Sequence, residues 1–143
     1  MKLMMEMLKK IKEIRVEHIF RSSDGSHFPY VKEMRETDSL IVTYLCGPID
    51  SSTVPIVFMD FKGKLSRYLN KHILLDFKEV THVDSATIAN LIFLLNQLQH
   101  HQKKLALTHV SLTLEHYIEI DKVRSLIHVY GNEEEALKAL DAA

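Results

Sequence analysis

Cysteine is nearly absent from this chain of 143 residues, which contains only Cys46. A single cysteine cannot build a disulfide framework, and a 46% share of apolar residues is typical of a globular domain with one ordinary core. Cys46 ends the apolar run 40–46, and this setting favours a buried strand residue over a reactive thiol.

The chain also lacks an excess of charge and long apolar segments. Its 18 Lys and Arg residues stand against 19 Asp and Glu residues, for a formal net charge of −1. It therefore shows no basic face of the kind that nucleic-acid binding needs. The apolar runs are far shorter than the roughly 20 residues that cross a bilayer. We expect a cytoplasmic protein that binds no nucleic acid and does not insert into a membrane.

Signatures of catalysis and of cofactor binding are missing as well. The four glycines are scattered and form neither of the phosphate-binding motifs GxGxxG and GxxxxGK, and no GxSxG elbow surrounds a serine. None of the nine histidines has another histidine four residues away. Only His82 and Asp84 share a strand face, which gives two metal ligands without a third. We predict a protein with no enzymatic activity, no cofactor and no metal site.

Apolar periodicity predicts an α/β fold. We expect one domain over residues 26–143, preceded by an extension over residues 1–25 in which residues 1–12 form an amphipathic helix. The pattern predicts strands at 28–34, 40–46, 73–77, 105–110 and 126–130, and helices at 53–70, 86–101, 112–120 and 132–140. The first two strands are close enough for a hairpin, and strand–helix–strand units imply right-handed crossovers. The result is a mixed, largely parallel sheet of four or five strands with helices packed on it.

The pair Asp84-Ser85 lies between the run 73–77 and the following helix, and a serine at such a turn can have three roles. Its hydroxyl can cap the helix by accepting a backbone N–H, it can act as a nucleophile, or it can be phosphorylated and gain about −1.5 to −2 charges. The nucleophile role is disfavoured because no particular histidine is placed to act as its base. A cap and a phosphorylation switch stay compatible with each other.

Two segments, taken with the order of the elements, resemble the STAS domain, the fold of anti-sigma factor antagonists and of the cytoplasmic tails of sulfate transporters. Gly47-Pro48-Ile49-Asp50 is similar to the family's G-E-L-D motif. Residues 73–77 followed by 83–89 are similar to its L-D-L…D-S-S-G-L-G, and residues 111–123 resemble the next helix and turn. The resemblance covers about residues 28–140 and implies a regulatory protein-binding module of a signalling pathway.

The resemblance also implies roles for particular residues. In antagonists of this family, the anti-sigma factor is itself a serine kinase and phosphorylates the serine after the aspartate, which corresponds here to Ser85. The unphosphorylated form binds the kinase and releases its sigma factor, and a phosphatase resets the switch. The implied partner-binding surface, to which we add Gln97 on the outer helix face, comprises Asp50, Ser51, Asp84, Ala86, Thr87 and Asn90.

The turn after Ser85 is poorer in glycine than the family pattern. Ala86 replaces the second serine, and Thr87 and Ala89 replace the two glycines, which makes the turn stiffer and bulkier. Such turns resemble those of co-antagonist and scaffold members of stress-signalling complexes, so other STAS proteins and a second copy of this chain are further candidate partners. An alternative is an accessory subunit that docks on a transporter or its ATPase, with Ser85 serving only as a helix cap.

Overall fold

The computed structural model describes residues 20–21, 30–54, 70–120 and 123–141. The α/β class predicted from the sequence is confirmed. The predicted helix over 1–12 and nearly all of the one over 53–70 lie outside the described residues. Within them the elements are β1 (Phe20–Arg21), β2 (Val31–Glu36), β3 (Leu40–Ile49), β4 (His72–Val83), α1 (Ser85–His100), β5 (Leu105–Thr108), α2 (Leu112–Ile120), β6 (His128–Tyr130) and α3 (Glu133–Asp141).

The described strands form one sheet in chain order from β1 to β6. β1, β2 and β3 are antiparallel neighbours, whereas β3, β4, β5 and β6 run parallel. β2 and β3 form the predicted hairpin, in which Thr37 N donates to Leu40 O at 2.8 Å. The sheet is mixed and largely parallel, as predicted, with the two-residue β1 added at its edge. β1 lies on the N-terminal side of the predicted domain boundary at residue 25.

β4 is buried on both faces in its first half, which explains its continuous apolar sequence. Ile73 and Leu75 belong to the larger core, which α1 and α2 cover. Leu74 points to the opposite side and belongs to the smaller core, which includes Leu137 of α3. The three β4 side chains are at most 1% exposed. The site at the end of β4 therefore rests on a strand that is fixed from both sides.

β4 has 12 residues and is therefore longer than the predicted strand over 73–77. It is also longer than the neighbouring β5, which has four residues. β5 pairs only with Ile73–Asp76. Beyond Asp76, β4 continues alongside the ten-residue β3 as far as the pair Ile49 and Val83, with two shifts of register. Pairing with a long parallel neighbour carries the strand through charged residues that interrupt its apolar pattern.

Gly47 sets the path of β3 near its end. Its φ of +73° lies in the left-handed region, and a Cβ atom there would stand 3.2 Å from Cδ1 of Tyr30. The preceding residue, Cys46, donates its N–H to the carbonyl of Tyr30 at 2.9 Å. Cys46 lies in β3 as predicted, but it is only partly buried. Glycine thus allows close packing on Tyr30 just before the chain leaves the sheet.

Candidate functional site

Two loops meet where β3 and β4 end. The strands are parallel and Ile49 pairs with Val83, so the residues that follow them leave the sheet side by side. Residues 50–53 and residues 84–87, the latter being the cap and the first three residues of α1, together are called the two-loop site below. The structure thus brings together the sequence-predicted residues of both motifs, which are more than 30 positions apart in the chain.

Asp84 joins the two loops through its carboxylate. Its backbone is extended, and Oδ1 accepts the N–H of Ala86 at 3.0 Å, which makes Asp84 the N-cap of α1. Oδ2 accepts the N–H of Ser51 on the other loop at 2.9 Å. One carboxylate therefore satisfies a free donor of the helix and fixes the neighbouring loop.

Thr87 holds the same two loops together from below. Its hydroxyl donates to the carbonyl of Ile49 and accepts the N–H of Asp84 at 3.2 Å, which completes a capping box. The residue is fully buried. Thr87 is therefore part of the support of the site and does not lie on the exposed surface to which the sequence analysis assigned it.

Ser85 is the first residue of α1 and is exposed. The helix cap was one of the roles considered for Ser85, but the cap is the preceding residue, Asp84. Among the described residues, no hydrogen bond occupies the Ser85 hydroxyl. The side chain is therefore accessible at the positive end of a 16-residue helix.

Asp50 organises the first loop through Ser52 and Thr53, which lie in the predicted surface turn over residues 47–53, and through His82, which was not predicted as part of the site. Oδ1 of Asp50 accepts the N–H of Ser52 at 3.0 Å and its hydroxyl at 2.6 Å. The Asp50 N–H donates to Oγ1 of Thr53 at 3.0 Å, and that hydroxyl donates to the carbonyl of Pro48 at 2.7 Å. His82 is the third, with Nε2 3.8 Å from Oδ2 of Asp50. Aspartate followed by Ser-Ser-Thr is a recognisable turn sequence, whereas nothing local to His82 indicates this contact.

Both carboxylates of the two-loop site are held in the ionised form. The side-chain hydrogen bond from Ser52 lowers the pKa of Asp50. Partial burial acts to raise the pKa of Asp84, but hydrogen bonds from Ser51 and from the first amides of α1 outweigh it and leave the pKa below its usual range. The exposed surface around Ser85 is therefore negatively charged at neutral pH.

The remaining predicted contact residues lie along α1. Ala86 and Asn90 are partly exposed, and the Asn90 amide donates to the Ala86 carbonyl at 2.8 Å. Gln97 is also partly exposed, about two turns farther along the helix. These residues extend the surface of the two-loop site along one side of α1.

Among the described residues, the contacts of histidine and the clustering of possible metal ligands bear on the chemistry of the site. The nearest histidine, His82, faces Asp50, and no described hydrogen bond connects an imidazole to Ser85. Among the described residues, no group of three His, Cys, Asp or Glu side chains could hold a metal ion. No described helix is both long enough and apolar enough to cross a membrane.

The sequence and the fold of this chain are similar to those of known proteins. A model of the STAS domain matches residues 31–136. No curated protein matches the chain. An anti-sigma factor antagonist from Mycobacterium paratuberculosis has a similar structure, with 16% sequence identity, a TM-score of 0.64, and coverage of 75% of this chain and 90% of that chain.

Two solved structures of the anti-sigma factor antagonist SpoIIAA are also similar. The unphosphorylated form has 17% sequence identity and a TM-score of 0.58, over 75% of this chain and 91% of that chain. The phosphorylated Bacillus form has 17% sequence identity and a TM-score of 0.60, over 74% of this chain and 96% of that chain. At such identities the likeness shows a shared fold.

Proposed function

The chain belongs to the STAS domain family, and we propose that it is a non-enzymatic regulatory module that works like an anti-sigma factor antagonist. In this proposal it binds an anti-sigma factor or a related serine kinase through the two-loop site and the outer side of α1. Phosphorylation of Ser85 switches that binding off. The role places the protein in the cytoplasm, and other STAS proteins are further candidate partners.

The observation that carries the proposal is the position of the Ser85 hydroxyl. It is exposed at the first residue of α1, beside a loop that the carboxylate of Asp84 holds in place. A kinase can reach such a hydroxyl without unfolding the chain. The SpoIIAA structures, which include an unphosphorylated and a phosphorylated form, support the idea that this fold accommodates a phosphate.

The electrostatics of the two-loop site explain how a phosphate would act. It would add about −1.5 to −2 charges to a surface that already carries the carboxylates of Asp50 and Asp84. The positive end of α1 offsets part of the repulsion within the chain, so the fold should persist. A partner surface matched to the neutral hydroxyl would instead meet new charge and new bulk, and would lose complementarity.

Recovery of the chain from its native host, followed by intact-mass measurement and partner identification, tests the proposal. A phosphate on Ser85 and a kinase-like partner would support it. An unmodified chain that co-purifies with a transporter or its ATPase would support the accessory-subunit alternative, although that alternative loses its premise that Ser85 is the helix cap.

Variants make the test quantitative. Ser85→Asp should weaken binding of the recovered partner by about tenfold or more, which corresponds to about 1.4 kcal/mol for each factor of ten. The matched control is Ser125→Asp, which adds the same charge at an exposed serine in the turn before β6. Equal weakening by both variants, or none by Ser85→Asp, would contradict the proposed switch.

A further inference from the structure

A groove beside the two-loop site lies between the second half of β4 and the beginning of α2. Its volume is about 200 Å³. Its apolar floor is largely buried, since Phe77 is 3% and Val83 is 6% exposed, whereas its walls carry hydroxyl groups. The residues that line it are Phe77, Val80, Thr81, His82, Val83, Ser111 and Thr113.

The strand that forms one wall of this groove has an open edge. On this side β5 pairs with β4 only from Ile73 to Asp76. No described strand pairs with residues 77–83 on the same side, although β3 pairs with them on the other. Unpaired main-chain groups of a strand are a template for an added strand. An extended peptide is therefore the kind of ligand whose chemistry fits this edge.

The shape of the edge favours a short segment of another protein over a second copy of this chain. β4 shifts register against β3 twice, between Asp76 and Glu79 and again between Val80 and His82. Exposed charged side chains, Lys78 and Glu79, stand on the same stretch. Irregular, charged edges resist the long regular pairing that joins identical strands. A short segment can pair locally and place an apolar side chain in the groove.

The groove is continuous with the two-loop site. His82 lines the groove, and its Nε2 atom is 3.8 Å from the Asp50 carboxylate. β4 also passes directly from the groove through Val83 to Asp84 and Ser85. A protein bound over Ser85 is therefore within reach of the groove without any change in the fold.

We propose that the open edge of β4 binds an extended segment of the partner protein as a short added strand, with an apolar side chain of that segment in the groove. This inference rests on the proposed function for the identity of the partner. It adds a second contact, distinct from Ser85, that recognises main chain and shape instead of the state of the serine.

A phage-displayed library of random peptides, selected on the full chain, tests the edge independently of Ser85. Selected peptides should slow amide hydrogen exchange in residues 77–83 and bind Thr113→Arg at least about tenfold more weakly, because the arginine would fill the groove. The control is His116→Arg, which places the same charge at an exposed position of α2 outside the groove and should bind normally. Failure to select peptides, protection elsewhere, or equal binding by both variants would overturn the inference.

Two further measurements separate this inference from the proposed switch. A selected peptide should displace the partner recovered from the host, and a partner that stays bound would overturn the edge inference while leaving the Ser85 switch intact. If the peptide displaces the partner but the partner binds Ser85→Asp normally, the edge inference stands and the Ser85 switch is contradicted. Sedimentation of the wild-type chain tests whether a second copy of the chain occupies the edge. A wild-type dimer that Thr113→Arg dissociates would assign the edge to a second copy and overturn the inference.

Discussion

Helices α1 and α3 begin with the same local arrangement. At α1, the side chain of the cap, Asp84, accepts the N–H of Ala86 at 3.0 Å and that of Thr87, three residues after the cap. At α3, Asn132 accepts the N–H of Glu135, also three residues later, at 2.9 Å. Both starts satisfy donors that a helix leaves free.

The capping groups at the two helix starts differ in what else they contact. Asp84 also binds Ser51 on the loop that follows β3, and Thr87 also binds Ile49, the last residue of β3. The described contacts of Asn132 stay within the first turn of its own helix. The cap of α1 therefore joins the helix to the segment that follows β3, whereas the cap of α3 contacts only its own helix. The proposed binding surface is built on this joint.

Removal of the Thr87 hydroxyl should break this comparison most strongly. Thr87→Val keeps the shape but leaves the buried carbonyl of Ile49 and the N–H of Asp84 without their partner. Unsatisfied groups of this kind cost about 1 to 3 kcal/mol each, so we expect a loss of about 3 kcal/mol in the free energy of unfolding. Urea denaturation measures it. Thr113→Val, at an exposed position of α2, is the control and should change stability by less than about 0.5 kcal/mol. Similar values for the two variants would show that the joint adds nothing.

Alanine at the two caps compares them directly. Asn132→Ala should cost about 1 kcal/mol, the usual value for a cap. Asp84→Ala removes the cap and also the bond to Ser51, so we expect about 2 kcal/mol. Denaturant unfolding of both variants under the same conditions gives the difference. If Asn132→Ala proves at least as costly, the contact with Ser51 does not stabilise the fold.

Substitution of Ser85 should have little effect on stability, in contrast with its neighbours. Because Asp84 is the cap, Ser85→Ala should change the free energy of unfolding by less than about 0.5 kcal/mol. Thermal and urea unfolding are suitable measurements. A loss near 1 kcal/mol would show that Ser85 contributes to the cap, and that it stabilises the fold as its neighbours do.

The smallest expected effect is on how the stability of the chain depends on pH, through the charge of the cap Asp84. The pKa of Asp84 is lower in the folded chain than in the unfolded chain, so its stabilising contribution is present above the unfolded value of about 3.9 and is lost as the pH falls through the folded value. Asp84→Asn keeps a good cap without the charge. Its stability should therefore fall less steeply than that of the wild-type chain between about pH 5 and pH 2. The measurement is the free energy of unfolding of both chains at several pH values. An equal fall with pH for the two chains would contradict the lowered pKa of Asp84.

The sequence predicted those parts of the fold whose signals are local. The apolar run 73–77 indicated a strand covered on both faces, and Asn132 with the acidic residues after it indicated the start of α3. The resemblance of the motifs around Asp50 and Asp84 to those of the family implied a shared site, and the parallel pairing of β3 and β4 places both motifs at one edge of the sheet.

The contacts that the sequence did not predict depend on residues far apart in the chain. Thr87 stands where the family pattern has a glycine, and only the position of Ile49, 38 residues away, explains its burial. The extension of β4 beyond residue 77 depends on pairing with β3, since its own side chains there are mostly polar. The cap lies one residue before Ser85, the residue considered for that role, and helix boundaries are seldom readable from sequence to within one residue.

The hydrogen bonds by which the joint reaches the β3 loop end on main-chain atoms, the N–H of Ser51 and the carbonyl of Ile49. Main-chain groups stay the same whatever side chain a residue carries. Exposed positions such as Ser51 and Ser85 can therefore be exchanged while Asp84 and Thr87 keep the loops in register. A lineage, or a designer with a small combinatorial library at those positions, could redirect this surface to a new partner without rebuilding the frame beneath it.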